Sequence, residues 1–150
     1  MRQKLIRLHA ASATLALLLI TTFFISTLLS ELFGSHQTIS HVKSAIFYGI
    51  WLVIPFMAIA GISGNKLAPT AKGGIIGQKK SRMPFIATNG VLVLVPAAVY
   101  LESLASVGSF NTTFYIVQII ELIAGAINIT LMSLNLKSGL VLRKAKTKRK

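Results

Sequence analysis

Three carboxylates and three histidines, Glu31, Glu102, Glu121, His9, His36 and His41, are the groups in this 150-residue chain able to exchange protons near neutral pH. The chain has no cysteine. Disulfides, thiolate metal sites and cysteine nucleophiles are therefore excluded. Glu121 stands in the most unusual setting, the stretch VQIIELIAGAINITLMSLN at 117–135. Within it Gln118, Glu121, Gly125, Asn128, Met132 and Asn135 follow one another at steps of three and four. Such spacing draws a single stripe down a helix, with Ile, Leu, Val and Ala on the other faces. A stripe of this kind faces something other than lipid. Glu121 lies well inside its apolar run, about 13 Å from the start at 1.5 Å per residue. A bare charge at that depth is costly, so the carboxylate is expected to be neutral, paired with Lys43 or a histidine, or beside water. Two roles suit it: a proton-handling or ligand-anchoring group, or a protonated acid bonding across the helices. Glu31 and Glu102, at the ends of apolar runs, read as solvated interfacial groups.

The histidines suggest other chemistry. His9 begins a stripe that continues through Ser12, Ala16, Leu19, Phe23, Ser26 and Ser30. Small neighbours leave room beside it for a flat group, and Arg7, Lys79, Lys80 and Arg82 supply cations at the same end. Haem b needs these features: an imidazole for iron, small residues to admit the porphyrin, and cations for its propionates. The competing reading of His9 is a plain interfacial residue. His36 and His41 are expected in a loop, near Glu31 in sequence and on the same side as Glu102. Such a group can bind zinc or copper, or one histidine can ligate a second haem; the bland alternative is a pair of solvated loop histidines. His9 cannot share a ligand with them, because a bilayer core about 30 Å thick separates the two ends. Asn89, Asn128 and Asn135, with His9 and Ser12, are expected to form one inner polar pocket.

Four elements must position these residues. The composition is 53% hydrophobic and 13% charged, about half the charged fraction usual for a soluble domain. Apolar runs near 8–30, 44–64, 83–104 and 112–136 are each long enough to cross a membrane. The expected fold is all-α: one membrane domain over 1–150, built as an antiparallel four-helix bundle. The first run is too long for a signal h-region and ends in Glu31-Leu32-Phe33, so it is expected to be a retained helix. Loops are expected at 31–43, at 65–82 (the longest) and at 103–113, with a basic tail at 137–150. Pro55 and Pro96 fall inside spans and should kink them.

Charge sets the expected orientation. Of the 16 Lys and Arg, all but Lys43 fall before the first run, between the second and third, or after the fourth. The positive-inside rule then puts both termini in the cytoplasm, with two short outer loops. The net charge of +13 does not point to nucleic acid, since the basic residues abut helix ends without aromatic interleaving. Anionic lipid headgroups are the expected partners of the tail, at about 1 kcal/mol per charge near the surface. Whether a second copy pairs as a homodimer is left open.

At RLH (7–9), STLLSELFGSH (26–36), KKSRMPFIATNG (79–90) and NTTFYIVQIIEL (111–122) the chain resembles a family of small four-helix bacterial inner-membrane proteins, mostly uncharacterised transmembrane proteins. The resemblance implies the four-helix fold, and b-type haem as cofactor. His9, His36 and Glu121 fall within the matching segments and His41 does not.

The leading expectation is thus a small haem protein of the cytochrome b kind, serving electron transfer or redox and gas sensing. His9 and His36 would ligate iron, with Arg7, Arg82, Asn89 and Asn128 around the cofactor. Its rival is a proton- or solute-handling membrane protein using Gln118, Glu121, Asn128 and Asn135. A structural or assembly factor is the third reading. Hydrolytic chemistry is disfavoured, because the chain holds no GxSxG or HExxH motif and no aspartate.

Overall fold

The computed structural model describes residues 2–147, with side chains described through residue 145. The described residues are helical apart from short turns and contain no strand. In chain order they form α1 (Arg2–Phe33), α2 (His36–Leu67), α3 (Gly74–Asn89), a π-helical segment (Gly90–Leu94), α4 (Val95–Ser106) and α5 (Thr112–Thr147). With α3, the π segment and α4 taken as one run, four helices are long and apolar enough to cross a membrane. The chain is consistent with a multi-pass membrane protein.

The helices outrun the apolar stretches that announce them. The connection expected at 31–43 shrinks to Gly34 and Ser35. Gly34 closes this turn by bonding to the Ser30 carbonyl, and a Cβ there would stand 2.6 Å from that oxygen. Ser35 caps α2, its hydroxyl accepting from the Thr38 amide at 3.3 Å, which satisfies one of the free donors of a helix start. His36 and His41 are consequently helical, not loop residues. Likewise the inner connection is only residues 68–73, and Lys79, Lys80 and Arg82 ride on α3. The expected tail begins as helix, because α5 continues to Thr147. Lys148, Arg149 and Lys150 lie outside the described residues, as does the side chain of Lys146. Asn111 starts α5, its side-chain oxygen accepting from the Phe114 amide at 3.0 Å.

Pro96 acts as expected of an interior proline. It has no N–H to donate, and its ring crowds the carbonyl a turn earlier. The helix widens just before it, and the Val95 amide reaches back to the Gly90 carbonyl, five residues away. Single π turns of this kind often mark functional sites. Pro55, by contrast, sits within an unbroken α2.

Contacts between helices fix their register. Along α1 and α2, Thr27 meets Lys43 and His9 meets Ser63, while Phe23 packs over Gly49, where a Cβ would lie 2.4 Å from its ring. These two helices are antiparallel. α5 touches α1 and the third run, and α2 touches α4. Buried apolar residues gather in three clusters. The first joins Ile39, Leu101, Ala105 and Phe114; the second joins Ile46, Ile50 and Ala98; the third joins Ala16, Ile86 and Met132. Many other large apolar side chains are exposed, including Leu18, Trp51, Leu92 and Ile123. Soluble proteins rarely show so much contiguous apolar surface.

Candidate functional site

The stripe on α5 is its inward face. Gln118, Gly125, Asn128 and Met132 are buried, and Glu121 and Asn135 are half-buried. Its polar members do not line one channel. They sit at three levels, with apolar clusters between them.

The first level centres on Lys43. It is 1% exposed, one of the largest fully buried side chains among the described residues. Its ammonium donates to Glu121 Oε2 at 2.5 Å and to the Thr27 hydroxyl at 3.5 Å. Gln118, itself buried, donates from Nε2 to the same carboxylate oxygen at 3.0 Å. Three helices thus supply one charge network: Thr27 from α1, Lys43 from α2, Gln118 and Glu121 from α5. Two acceptors beside it are left over. Glu31 Oε1 and Gln118 Oε1 are buried with no hydrogen-bond donor among the described residues. Glu31 lies close enough to feel the charges of Lys43, Glu121 and His36. The solvated interfacial role expected for Glu31 is therefore corrected, because one of its oxygens is enclosed. Glu102 accepts from the Ser44 hydroxyl at 3.4 Å. One carboxylate is bound to the ammonium, and a second stands nearby with an unbonded oxygen. This arrangement can store, release or relay a proton.

The second level is an amide clasp. Asn128, fully buried, accepts from Asn89 Nδ2 at 2.9 Å, and the same amide donates to the Ala124 carbonyl at 2.8 Å. Asn128 returns a bond to the Ile86 carbonyl at 3.4 Å. Asn89 is the last residue before the π segment. The clasp ties the third run to α5 where its regular ladder is interrupted.

The third level lies beyond the Ala16, Ile86 and Met132 cluster. Asn135 accepts from Arg82 Nη1 at 3.4 Å and donates to the Lys79 carbonyl at 3.4 Å. His9 is bonded separately, through Nδ1, to the Ala60 carbonyl at 3.0 Å and the Ser63 hydroxyl at 3.3 Å. The single inner pocket expected from Asn89, Asn128, Asn135, His9 and Ser12 is thus split in three. The reason is Met132: one turn of apolar side chains separates Asn128 from Asn135 on the same stripe.

The remaining candidates are scattered. His36 stacks on Phe110 with ring centroids 4.3 Å apart, and His41 is exposed on α2. Five residues on a helix turn the chain by roughly 140° beyond one full turn, so these two histidines point apart. Among the described residues no three His, Cys, Asp or Glu side chains are grouped to hold a metal ion. Arg7 is exposed on α1, and Arg82 is engaged by Asn135. A shallow apolar concavity of about 260 Å³, lined by Ala126, Ile127, Thr130 and Leu131, touches none of the histidines.

The residue that sequence reasoning undervalued is Lys43. Its signal was present: it is the one basic residue away from the others. Thr27 was missed by one position. The three-and-four spacing puts Ser26 on the stripe of α1, yet Thr27 is the residue buried there, at 2% exposure. Steps of three and four leave that choice open, and packing against α2 decides it. No family model, curated protein or solved structure matches this chain.

Proposed function

We propose that this chain is a proton-handling protein of the bacterial inner membrane, working through the Lys43–Glu121 pair. The four long apolar helices form an antiparallel bundle with both termini in the cytoplasm, and the basic cytoplasmic ends meet anionic lipid headgroups. Lys43, Glu31, Glu102 and Glu121 then cluster toward the outer face. Protons enter there past the half-buried Glu31. When Glu121 takes one, its bond to Lys43 weakens, and the ammonium is freed to turn toward Glu31. Deprotonation restores the first pairing. The change is felt by α1, α2 and α5 together, since each contributes a group.

The observation that carries this reading is the buried 2.5 Å contact itself. Removing two charges from water costs more than their attraction often returns, and well-packed apolar residues do as well or better for stability. Ionisable residues inside a membrane are expensive and tend to be functional. The two unbonded acceptors next to the pair add to the case, because the large majority of buried polar atoms are bonded.

The test is proton uptake by the detergent-purified protein, read with a pH dye in weakly buffered solution. An acid step should load fewer protons on Glu121→Gln than on the parent, with the fold kept. Equal uptake by the two would reject the proposal.

A further inference from the structure

At the far end of α5 from Glu121, the helices bring cations together without any side-chain carboxylate. The chain's three acids are Glu31, Glu102 and Glu121, and Glu121 is about five turns, or roughly 27 Å, from Gly139 along α5. Lys79 is half-buried here. Its ammonium packs where α5 has no side chain, and a Cβ on Gly139 would stand 3.4 Å from Nζ. Arg82 lies one turn further along α3 and is likewise half-buried. Asn135 joins the two, accepting from the Arg82 guanidinium and donating to the Lys79 carbonyl. The neighbouring Lys80 makes the contrast. Its ammonium is taken up by the Ala68 and Pro69 carbonyls, whereas no described residue offers an acceptor to the ammonium of Lys79.

A half-buried cation without an acceptor is an unfinished interaction. Its completion must come from outside the chain, and the donor set says what kind of group fits. A guanidinium offers a planar fork and an ammonium a point charge, the combination that suits a tetrahedral oxyanion such as phosphate. Gly139 admits the Lys79 ammonium against α5, one turn from the Asn135 that holds Arg82. We propose that Lys79 and Arg82, at the gap left by Gly139, form a discrete seat for the phosphate of an anionic phospholipid. The lipid source rests on the membrane reading above, since this end of α3 then lies at the cytoplasmic headgroup level. The seat differs from general attraction to a basic surface by being stoichiometric and by depending on an uncharged residue.

The experiment is native mass spectrometry of the purified protein after exchange into detergent with defined phosphatidylglycerol or phosphatidylcholine. One phosphatidylglycerol should stay bound where phosphatidylcholine does not. The Lys79→Gln/Arg82→Gln variant should weaken retention by about tenfold or more. Gly139→Leu, which keeps every charge but fills the gap, should weaken it too. Lys137→Gln/Lys144→Gln, removing the same charge nearby, should leave it intact. Equal loss in that control would reduce the effect to diffuse electrostatics and overturn the seat. Displacement of the lipid by millimolar inorganic phosphate would assign the site to a free anion and overturn the lipid source. A protein that needs detergent for extraction yet holds no lipid would defeat this proposal and leave the membrane reading standing.

Discussion

Lys43 and Glu121 stand 78 positions apart in the chain and 2.5 Å apart in the fold. The ammonium side of this ion pair is fully buried and the carboxylate side nearly so. Their bond spans α2 and α5, and Thr27 of α1 touches the same ammonium. One contact therefore joins three helices at a level where water is scarce.

Removing half of this pair should cost more than removing all of it. Glu121→Leu strands a buried ammonium, and the expected loss is about 3–5 kcal/mol. The double variant Lys43→Met/Glu121→Leu should recover most of that stability, because apolar side chains of similar size fill the space. Thermal unfolding in detergent measures both, and a double variant as unstable as Glu121→Leu would show that the charges hold the helices together. The part of proton uptake that depends on Glu121 should be absent from both variants, separating stability from activity.

Asn89 and Asn128 are expected to matter for stability alone. Asn89→Leu leaves the Asn128 side-chain oxygen buried without a donor, at a cost of about 1–3 kcal/mol. Proton uptake by the refolded variant should match the parent. A variant with parental stability and lost uptake would move the proton route through the amide clasp.

His9 gives a direct comparison between the proton and haem readings. Its ring nitrogen bridges α1 to the Ala60 carbonyl and Ser63 hydroxyl of α2, so His9→Ala should cost about 1 kcal/mol in thermal unfolding. On the proton reading, the visible spectrum is featureless in parent and variant alike. A Soret band in protein from haem-replete cells, lost in both His9→Ala and His36→Ala, would restore the haem assignment.

Topology is tested at turns, not within helices. A reporter active only outside the cytoplasm should be silent when fused after Lys150. The same reporter inserted at Gly108, in the turn between α4 and α5 where the backbone has φ 71°, should be active. The opposite pattern would invert the bundle and put Lys43 and Glu121 on the cytoplasmic side.

Hydrophobic periodicity is a local property, and what depends on it was legible in the residues themselves. Four long apolar helices follow from run length, and the inward face of α5 follows from the spacing between Gln118 and Asn135. The segregation of the basic residues from Lys43 is equally plain in the order of the chain. Helix ends were less legible: His36 and His41 look like loop residues because they are polar, yet Ser35 caps them into α2 and Gly34 makes the turn tight. Pairings were not legible at all. Lys43 was visible as a candidate partner for Glu121, but only the offset and rotation of α2 relative to α5 bring Nζ to Oε2. Packing also joins Met132 to Ala16 and Ile86, and that apolar cluster divides an apparently continuous stripe. The same packing leaves Lys79 beside Gly139 with no acid in reach. Periodicity says which way a side chain faces; what it meets there depends on the rotation and offset of the neighbouring helix, which packing alone decides.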